Sequence, residues 1–263
     1  MPLRLNPTFR HALAARGDGA PPLAGIWISS GSPLVAEVCA GSGLDWLLLD
    51  GEHSAIGIES TLAMLQAVAP YDSTTIVRVP SDDAVLIKQM LDLGAQNLLV
   101  LMISTAEEAR SVVAAVRYPP RGIRGVGSAV ARSSRWNRIP DYLQNADEYT
   151  SLTIQIETAE GVENVDEIAA VDGVDAVFVG PADLAASLGV LGQQNHPDVR
   201  AAVLRVFEAV KRAGKPVGIL AFDPEVARSY ADAGADFIAV TADVTLVARG
   251  AEALAARWAP ASV

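Results

Sequence analysis

The sequence predicts an α/β fold, a closed (β/α)8 TIM barrel forming a single domain over 1–263. Three observations carry that prediction. Short apolar runs recur eight times, and their unbroken apolarity, rather than alternation, marks strands buried on both faces. Segments of helical period lie between them. Where helix returns to strand a half-unit repeats: G-S-G-L-D-W-L-L-L, D-L-G-A-Q-N-L-L-V, V-D-G-V-D-A-V-F-V and D-A-G-A-D-F-I-A-V. In each, Gly supplies the left-handed helix stop. Eight such units in about 250 residues match the arithmetic of a closed barrel better than that of an open doubly wound sheet.

The elements follow in order. The stretch N-P-T-F-R-H-A-L-A-A-R-G reads as a helix over about 6–17, with Asn6 as N-cap, Pro7 in the first turn and Gly17 as stop. Strands are expected at 24–29, 46–50, 75–79, 97–103, 152–157, 176–179, 216–220 and 237–241. Helices are expected between them, for example at 83–93 and 106–117, and a C-terminal helix at about 243–258. From 118 to 150 no strand is legible. A connection of that length is usually functional or an interface. It carries Arg121, Arg124, Arg132, Arg135 and Arg138, which read either as subunit contacts and salt bridges or as groups meeting an anionic substrate tail.

Composition excludes several classes. Hydrophobic residues make up 51% and charged residues 19%, enough for a large core and too little charge for disorder. Twenty basic against 31 acidic residues give a net charge of −11, which argues against a nucleic-acid footprint. Cys39 is alone, so no disulfide framework is expected and a cytoplasmic setting is. No apolar run approaches the roughly 20 residues of a membrane span, and no signal-peptide core is seen.

A barrel of this kind works at the C-terminal ends of its strands. Those ends present Trp27, then Asp50, Gly51, Glu52 and His53, then Arg78, Glu157 and Asp183. His53 is the one histidine of three placed for proton transfer near neutral pH. Arg78, inside T-T-I-V-R-V-P, needs either a carboxylate partner or a substrate anion. Asp50 and Glu52 are expected to orient ligands or metal-bound waters rather than ligate directly. Glu157 and Asp183 suit a hard divalent cation, against the alternative of a rim Glu and a capping Asp. In G-P-A-D-L, Gly180 and Pro181 open a helix whose Ala182 and Asp183 amides could hold a carboxylate or phosphate. None of the three lysines, Lys88, Lys211 and Lys215, ends a strand, which disfavours a Schiff-base mechanism. Phosphate-loop and nicotinamide fingerprints are absent.

The motifs D-W-L-L-L-D-G-E-H, I-V-R-V-P, I-K-Q-M-L-D-L-G-A-Q, R-Y-P-P-R-G-I-R-G-V-G, I-Q-I-E-T and V-F-V-G-P-A-D-L together resemble the HpcH/HpaI family of class II pyruvate aldolases. The run R-G-I-R-G-V-G-S-A-V-A-R-S-S-R-W-N-R-I-P-D-Y-L is especially similar to 4-hydroxy-2-oxoheptanedioate aldolases. The resemblance implies reversible cleavage of 4-hydroxy-2-oxo acids to pyruvate, or an analogue such as hydroxypyruvate, and an aldehyde, by way of an enolate stabilised by Mg²⁺, Mn²⁺ or Co²⁺. It implies Glu157 and Asp183 as metal ligands, Arg78 as the group holding the oxo acid and enolate, and His53 with Asp92 as a proton-transfer dyad. It also implies Trp27, Gln155 and the Gly180–Asp183 turn around the pyruvate pocket. A homohexamer, a trimer of dimers with helix eight exchanged, is implied too, in which Asp92 can reach a neighbour's site. Sugar-acid aldolases of the same family and acyl-CoA lyases are the related alternatives. The chain departs from the family pattern at Ser54-Ala55-Ile56, Leu101 and Thr241, all near the rim, which bears on substrate preference.

Overall fold

A computed structural model describes residues 5–17 and 19–259. A short helix, α1 (Phe9–Ala15), precedes eight strand–helix units. These run β1 (Leu23–Ile28), α2 (Pro33–Ala40), β2 (Trp46–Asp50), α3 (Ile58–Ala67), β3 (Thr74–Arg78), α4 (Ala84–Asp92), β4 (Asn97–Val100) and α5 (Ala106–Val116). After the long connection come β5 (Ser151–Ile156), α6 (Ala159–Glu163), α7 (Val165–Ala169), β6 (Ala176–Val179), α8 (Pro181–Ser187) and α9 (Pro197–Arg212). β7 (Val217–Leu220), α10 (Pro224–Asp232), β8 (Phe237–Ala242) and α11 (Asp243–Trp258) complete the chain. The eight strands pair in sequence order, all parallel, and β8 closes on β1.

Strand alternation divides the buried side chains into two layers. Outward residues such as Leu47, Leu49, Val77, Ile154, Val177 and Ile219 pack under the helices. Inward residues form a separate cluster that includes Trp46, Leu48, Ile76, Leu99, Phe178 and Phe237. The same inward parity continues upward from Trp46 and Leu48 to Asp50, and from Ile76 to Arg78. The barrel therefore passes from aromatic at the strands' N-terminal ends, its floor, to charged at their C-terminal ends, its mouth.

The floor is sealed by α1. Phe9 meets Trp46 and Phe237 at ring-centroid distances of 5.8 and 5.0 Å, and Leu13 joins them one helical turn on. Asn97 fixes the helix start: its Oδ1 accepts the Phe9 N–H at 2.6 Å while its Nδ2 donates to the Thr75 carbonyl at 2.8 Å. This corrects the expected cap. Thr8, not Asn6, precedes the first helical residue, with its hydroxyl 2.7 Å from His11 Nδ1, so Pro7 lies outside the helix.

The other expected elements stand within one or two residues of their predicted limits, with one exception. β4 ends at Val100 instead of 103, because Met102 takes a left-handed φ of 59° that no strand can contain. At the other end of the chain, α11 is exposed along almost its whole length, and only Asp243 is buried. Trp258 is 85% exposed. A groove of about 320 Å³ lies open between β8 and α10, lined by Ile238, Val240, Ala227 and Ala231. No helix among the described residues is long and apolar enough to cross a membrane.

Candidate active site

Arg78 is a buried cation at the mouth, and its position follows from its neighbours. It pairs in register with Asp50 on the adjoining strand. Asp50 Oδ1 accepts from Arg78 Nε at 2.9 Å and lies 2.8 Å from Nη2. Glu52 Oε2 lies 2.6 Å from Nη1, off the N–H axis, so this contact is an ion pair and not a hydrogen bond. The guanidinium carbon sits 5.0 Å from the centroid of the Trp27 ring, a stacking that arginine makes well. Of the two partners left open for Arg78, the structure supplies the carboxylates, while N–H groups on its outer edge remain for a ligand. Asp50 and Glu52 thus orient Arg78 directly.

The loop after β2 turns tightly to allow this clamp. A Cβ on Gly51 would stand 2.5 Å from the Arg78 carbonyl oxygen, which accepts the Gly51 N–H at 3.0 Å. Only glycine fits there. Asp50 Oδ1 also accepts the N–H groups of Glu52 and His53 at 3.1 and 3.3 Å, and the Ser54 hydroxyl donates to the Asp50 carbonyl. His53 is left 64% exposed, with Nε2 3.3 Å from Glu52 Oε1.

Across the mouth, Glu157 follows β5 and is buried. The Met102 N–H donates to its Oε1 at 3.0 Å, and the Gln155 amide donates to Oε2. Gln155 Oε1 remains buried without a partner. Burial pushes the Glu157 carboxyl up to about 7, and the nearby carboxylates of Asp183 and Glu52 add to the rise against the two hydrogen bonds. Glu52 is raised as well, first by burial. Gly180 allows the packing: a Cβ there would meet Glu157 Oε2 at 2.3 Å and Gln155 Nε2 at 3.0 Å. Asp183 stands exposed in the first turn of α8, behind Gly180 and Pro181 and next to Ala182.

This donor set fits a hard divalent cation. A buried carboxylate that resists ionisation, facing further carboxylates, lacks positive charge. Among the described residues no three His, Cys, Asp or Glu side chains converge as a cage, so a cation on Glu157 and Asp183 would keep positions free for a chelating ligand and water.

Two groups of expected residues are not brought to this mouth. Asp92 ends α4, and a helix that follows a strand returns to the floor. There Asp92 Oδ1 accepts from Arg124 Nη2 at 3.0 Å, so within one chain it forms no dyad with His53. The arginines of 118–150 share that end, because the segment joins the end of α5 to the start of β5. Arg121 pairs with Asp147 at 2.5 Å, Arg124 stacks 4.5 Å from the Tyr118 ring centroid, and Arg138 lies over Trp136. None of them can meet a ligand held in its own chain's mouth.

Two contributors to the site were missed. Asp243, buried just past β8, accepts the N–H groups of Ser29 and Ser30 at 2.9 and 3.1 Å and shapes the loop after β1. The rim rule applied to the eighth strand would have found it. Met102 acts through its backbone, and a non-glycine left-handed residue leaves no sequence signal.

The HpcH/HpaI aldolase/citrate lyase family model matches residues 23–250. The chain belongs to that family. It is 53% identical over 260 residues to the hydroxypyruvate/pyruvate aldolase of Deinococcus radiodurans, covering 98% of this chain and 92% of that one. It is 51% identical over 254 residues to the 4-hydroxy-2-oxo-heptane-1,7-dioate aldolase of Klebsiella pneumoniae, covering 97% and 94%. Among solved structures, an HpcH/HpaI aldolase/citrate lyase family protein from Burkholderia cenocepacia superposes with a TM-score of 0.90 at 41% identity, covering 94% of this chain and 98% of that one. The expected family and barrel are both borne out.

Proposed function

We propose that this HpcH/HpaI family member is a divalent-metal-dependent aldolase that cleaves 4-hydroxy-2-oxo acids reversibly to pyruvate, or an analogue such as hydroxypyruvate, and an aldehyde. The observation that carries the reading is the pairing of two features at one mouth: an electron-rich carboxylate site at Glu157 and Asp183, and a clamped guanidinium at Arg78. Both are needed to hold a 2-oxo acid as its enolate. Near-complete coverage by relatives named as aldolases of these substrates supports it.

Glu157 and Asp183 would hold Mg²⁺, Mn²⁺ or Co²⁺, which supplies Lewis-acid polarisation of the 2-oxo group when bound. Gln155 keeps the Glu157 carboxylate in place. Arg78, fixed by Asp50 and Glu52, would face the negative charge that develops on the oxo-acid oxygen as the C3–C4 bond breaks. Trp27 forms a flat apolar wall beneath it. The Gly180–Pro181 turn with the Ala182 and Asp183 amides would border the substrate carboxylate. His53, at the open edge, would take the C4 hydroxyl proton as the aldehyde leaves and return a proton to C3 of the enolate, giving pyruvate or its analogue. Asp92 can join His53 only from another copy, which fits a homohexamer built as a trimer of dimers. The bare α11 and the open groove beside α10 fit exchange of that helix between copies. A lone buried thiol at Cys39 fits a cytoplasmic setting.

The test is a retro-aldol screen over 4-hydroxy-2-oxo acids, sugar-derived 2-oxo acids and acyl-CoA substrates, before and after EDTA. Pyruvate or hydroxypyruvate release from the first class, abolished by EDTA and restored by Mn²⁺, is expected. Turnover confined to acyl-CoA substrates, or unaffected by metal removal, would overturn the reading.

A further inference from the structure

We propose that the barrel floor carries a second ligand site, centred on Arg132 and Arg135, that binds a small oxyanion through its carboxylate or phosphate group. A cavity of about 920 Å³ opens there between α1, the strand starts of β3 and β4, and the 132–135 turn. Arg132 and Arg135 both line it. They converge: each Nη1 lies within 3.3 Å of the point a Gly94 Cβ would occupy.

The two charges are held together with no carboxylate against them among the described residues. Arg121 and Arg124 of the same segment have carboxylate partners. Arg132 and Arg135 form no ion pair among the described residues. Arg132 donates to the carbonyls of Leu93 and Leu65 at 3.0 and 3.5 Å, and Arg135 to the Arg132 carbonyl at 2.7 Å. Carbonyls, two of them at or near the ends of α4 and α3 and one within the turn, supply only partial negative charge. Each guanidinium has five N–H groups, so most donors of the pair have no protein acceptor among the described residues. Two carboxylates border the cavity, but Glu148 faces Arg10 at 3.5 Å and Asp72 reaches no arginine among the described residues. Burial, then the charge of Arg135, pulls the Arg132 guanidinium below its ordinary value. Half-buried like charges side by side are unfavourable unless something neutralises them.

The backbone supplies an independent observation. Arg135, Trp136 and Asn137 have φ values of 52°, 57° and 59°. Three consecutive non-glycine residues in the left-handed region cost roughly 1 kcal/mol or more each. Buried Ser134 holds this turn, its hydroxyl donating to the Ser128 carbonyl at 2.5 Å and accepting the Asn137 N–H at 2.9 Å. A turn strained in this way, carrying Arg135 beside Arg132 at a cavity wall, is the pattern of a preorganised ligand clamp.

Titration calorimetry with inorganic phosphate tests the site. Wild type should bind a single phosphate on the floor. Arg78→Ala, which strips the mouth of its guanidinium, should leave that binding in place. Arg135→Gln should weaken it about tenfold or more. Should Arg135→Gln fail to fold, Ala69→Asp places a carboxylate on the exposed cavity rim and should weaken binding similarly. Binding lost in Arg78→Ala but kept in Arg135→Gln and Ala69→Asp would assign the phosphate to the mouth and overturn the proposal. So would an absence of phosphate uptake combined with a change in sedimentation mass for Arg135→Gln, which would make the pair a seat for a neighbouring copy's carboxylate.

Discussion

The two ends of this barrel solve the same problem of buried charge in opposite ways. At the mouth the excess is negative: Glu52, Glu157 and Asp183 face one another around a single guanidinium, with burial and mutual repulsion raising Glu157 to about 7. At the floor the interior is aromatic, plugged by Phe9 against Trp46 and Phe237; nearby, Arg121 and Arg124 are matched to aspartates, while Arg132 and Arg135 meet only carbonyls among the described residues. Matched charges stabilise a fold. Unmatched ones wait for a ligand.

Substituting an arginine at each end should separate the two ends by the largest effect. Arg78→Ala is expected to lower kcat/KM by about 100-fold or more, because it removes a preorganised donor and leaves Asp50 and Glu52 uncompensated. Arg121→Ala, at an exposed floor ion pair, should stay within about threefold. Similar losses for both in steady-state kinetics would erase the distinction between the ends. Phe9→Ala asks the reverse question. Emptying the plug should cost about 3 kcal/mol in denaturant unfolding, with kcat/KM per folded molecule unchanged. A collapse of kcat/KM at full folding would tie the floor directly to catalysis.

Smaller effects sharpen the picture of the mouth. Gly180→Ala forces a Cβ into the Glu157 carboxylate and should weaken Mn²⁺ binding about tenfold or more, measured by titration calorimetry. Unchanged affinity would mean that Glu157 does not hold the ion in this position. The pH dependence follows from Glu157. Its folded value is raised from the usual 4.5 to about 7, so the ion-free fold loses stability as pH rises through that interval and the carboxyl ionises. A cation needs the ionised form. Mn²⁺ affinity should therefore rise up to about pH 7 and then level off, being about tenfold weaker at pH 6 than at pH 8. A flat profile would contradict the assignment of that group.

The barrel was legible because its signals are local. Apolar runs such as W-L-L-L and A-V-F-V lie on single strands, and their ends bring Asp50, Arg78, Glu157 and Asp183 to one rim by topology alone. Pairings between elements were less legible. That Arg78 is clamped by Asp50 and Glu52 depends on the register of β2 against β3. That Asp92 belongs to Arg124 depends on where a strandless segment folds. Met102 turns its N–H to Glu157 through a backbone angle for which methionine has no preference. Phe9 and Leu13 did leave a trace, since their i, i+4 spacing gives α1 one apolar face.

Loaded with a divalent ion, the mouth should hold a 2-oxo acid and its enolate. Proton exchange at the pyruvate methyl group in D₂O, followed by NMR without any aldehyde, tests that directly. Wild type with Mn²⁺ or Mg²⁺ should exchange the methyl protons, EDTA-treated protein should not, and Arg78→Ala should be slowed by the same factor as in cleavage. Undiminished exchange after full metal removal, or in Arg78→Ala, would contradict it.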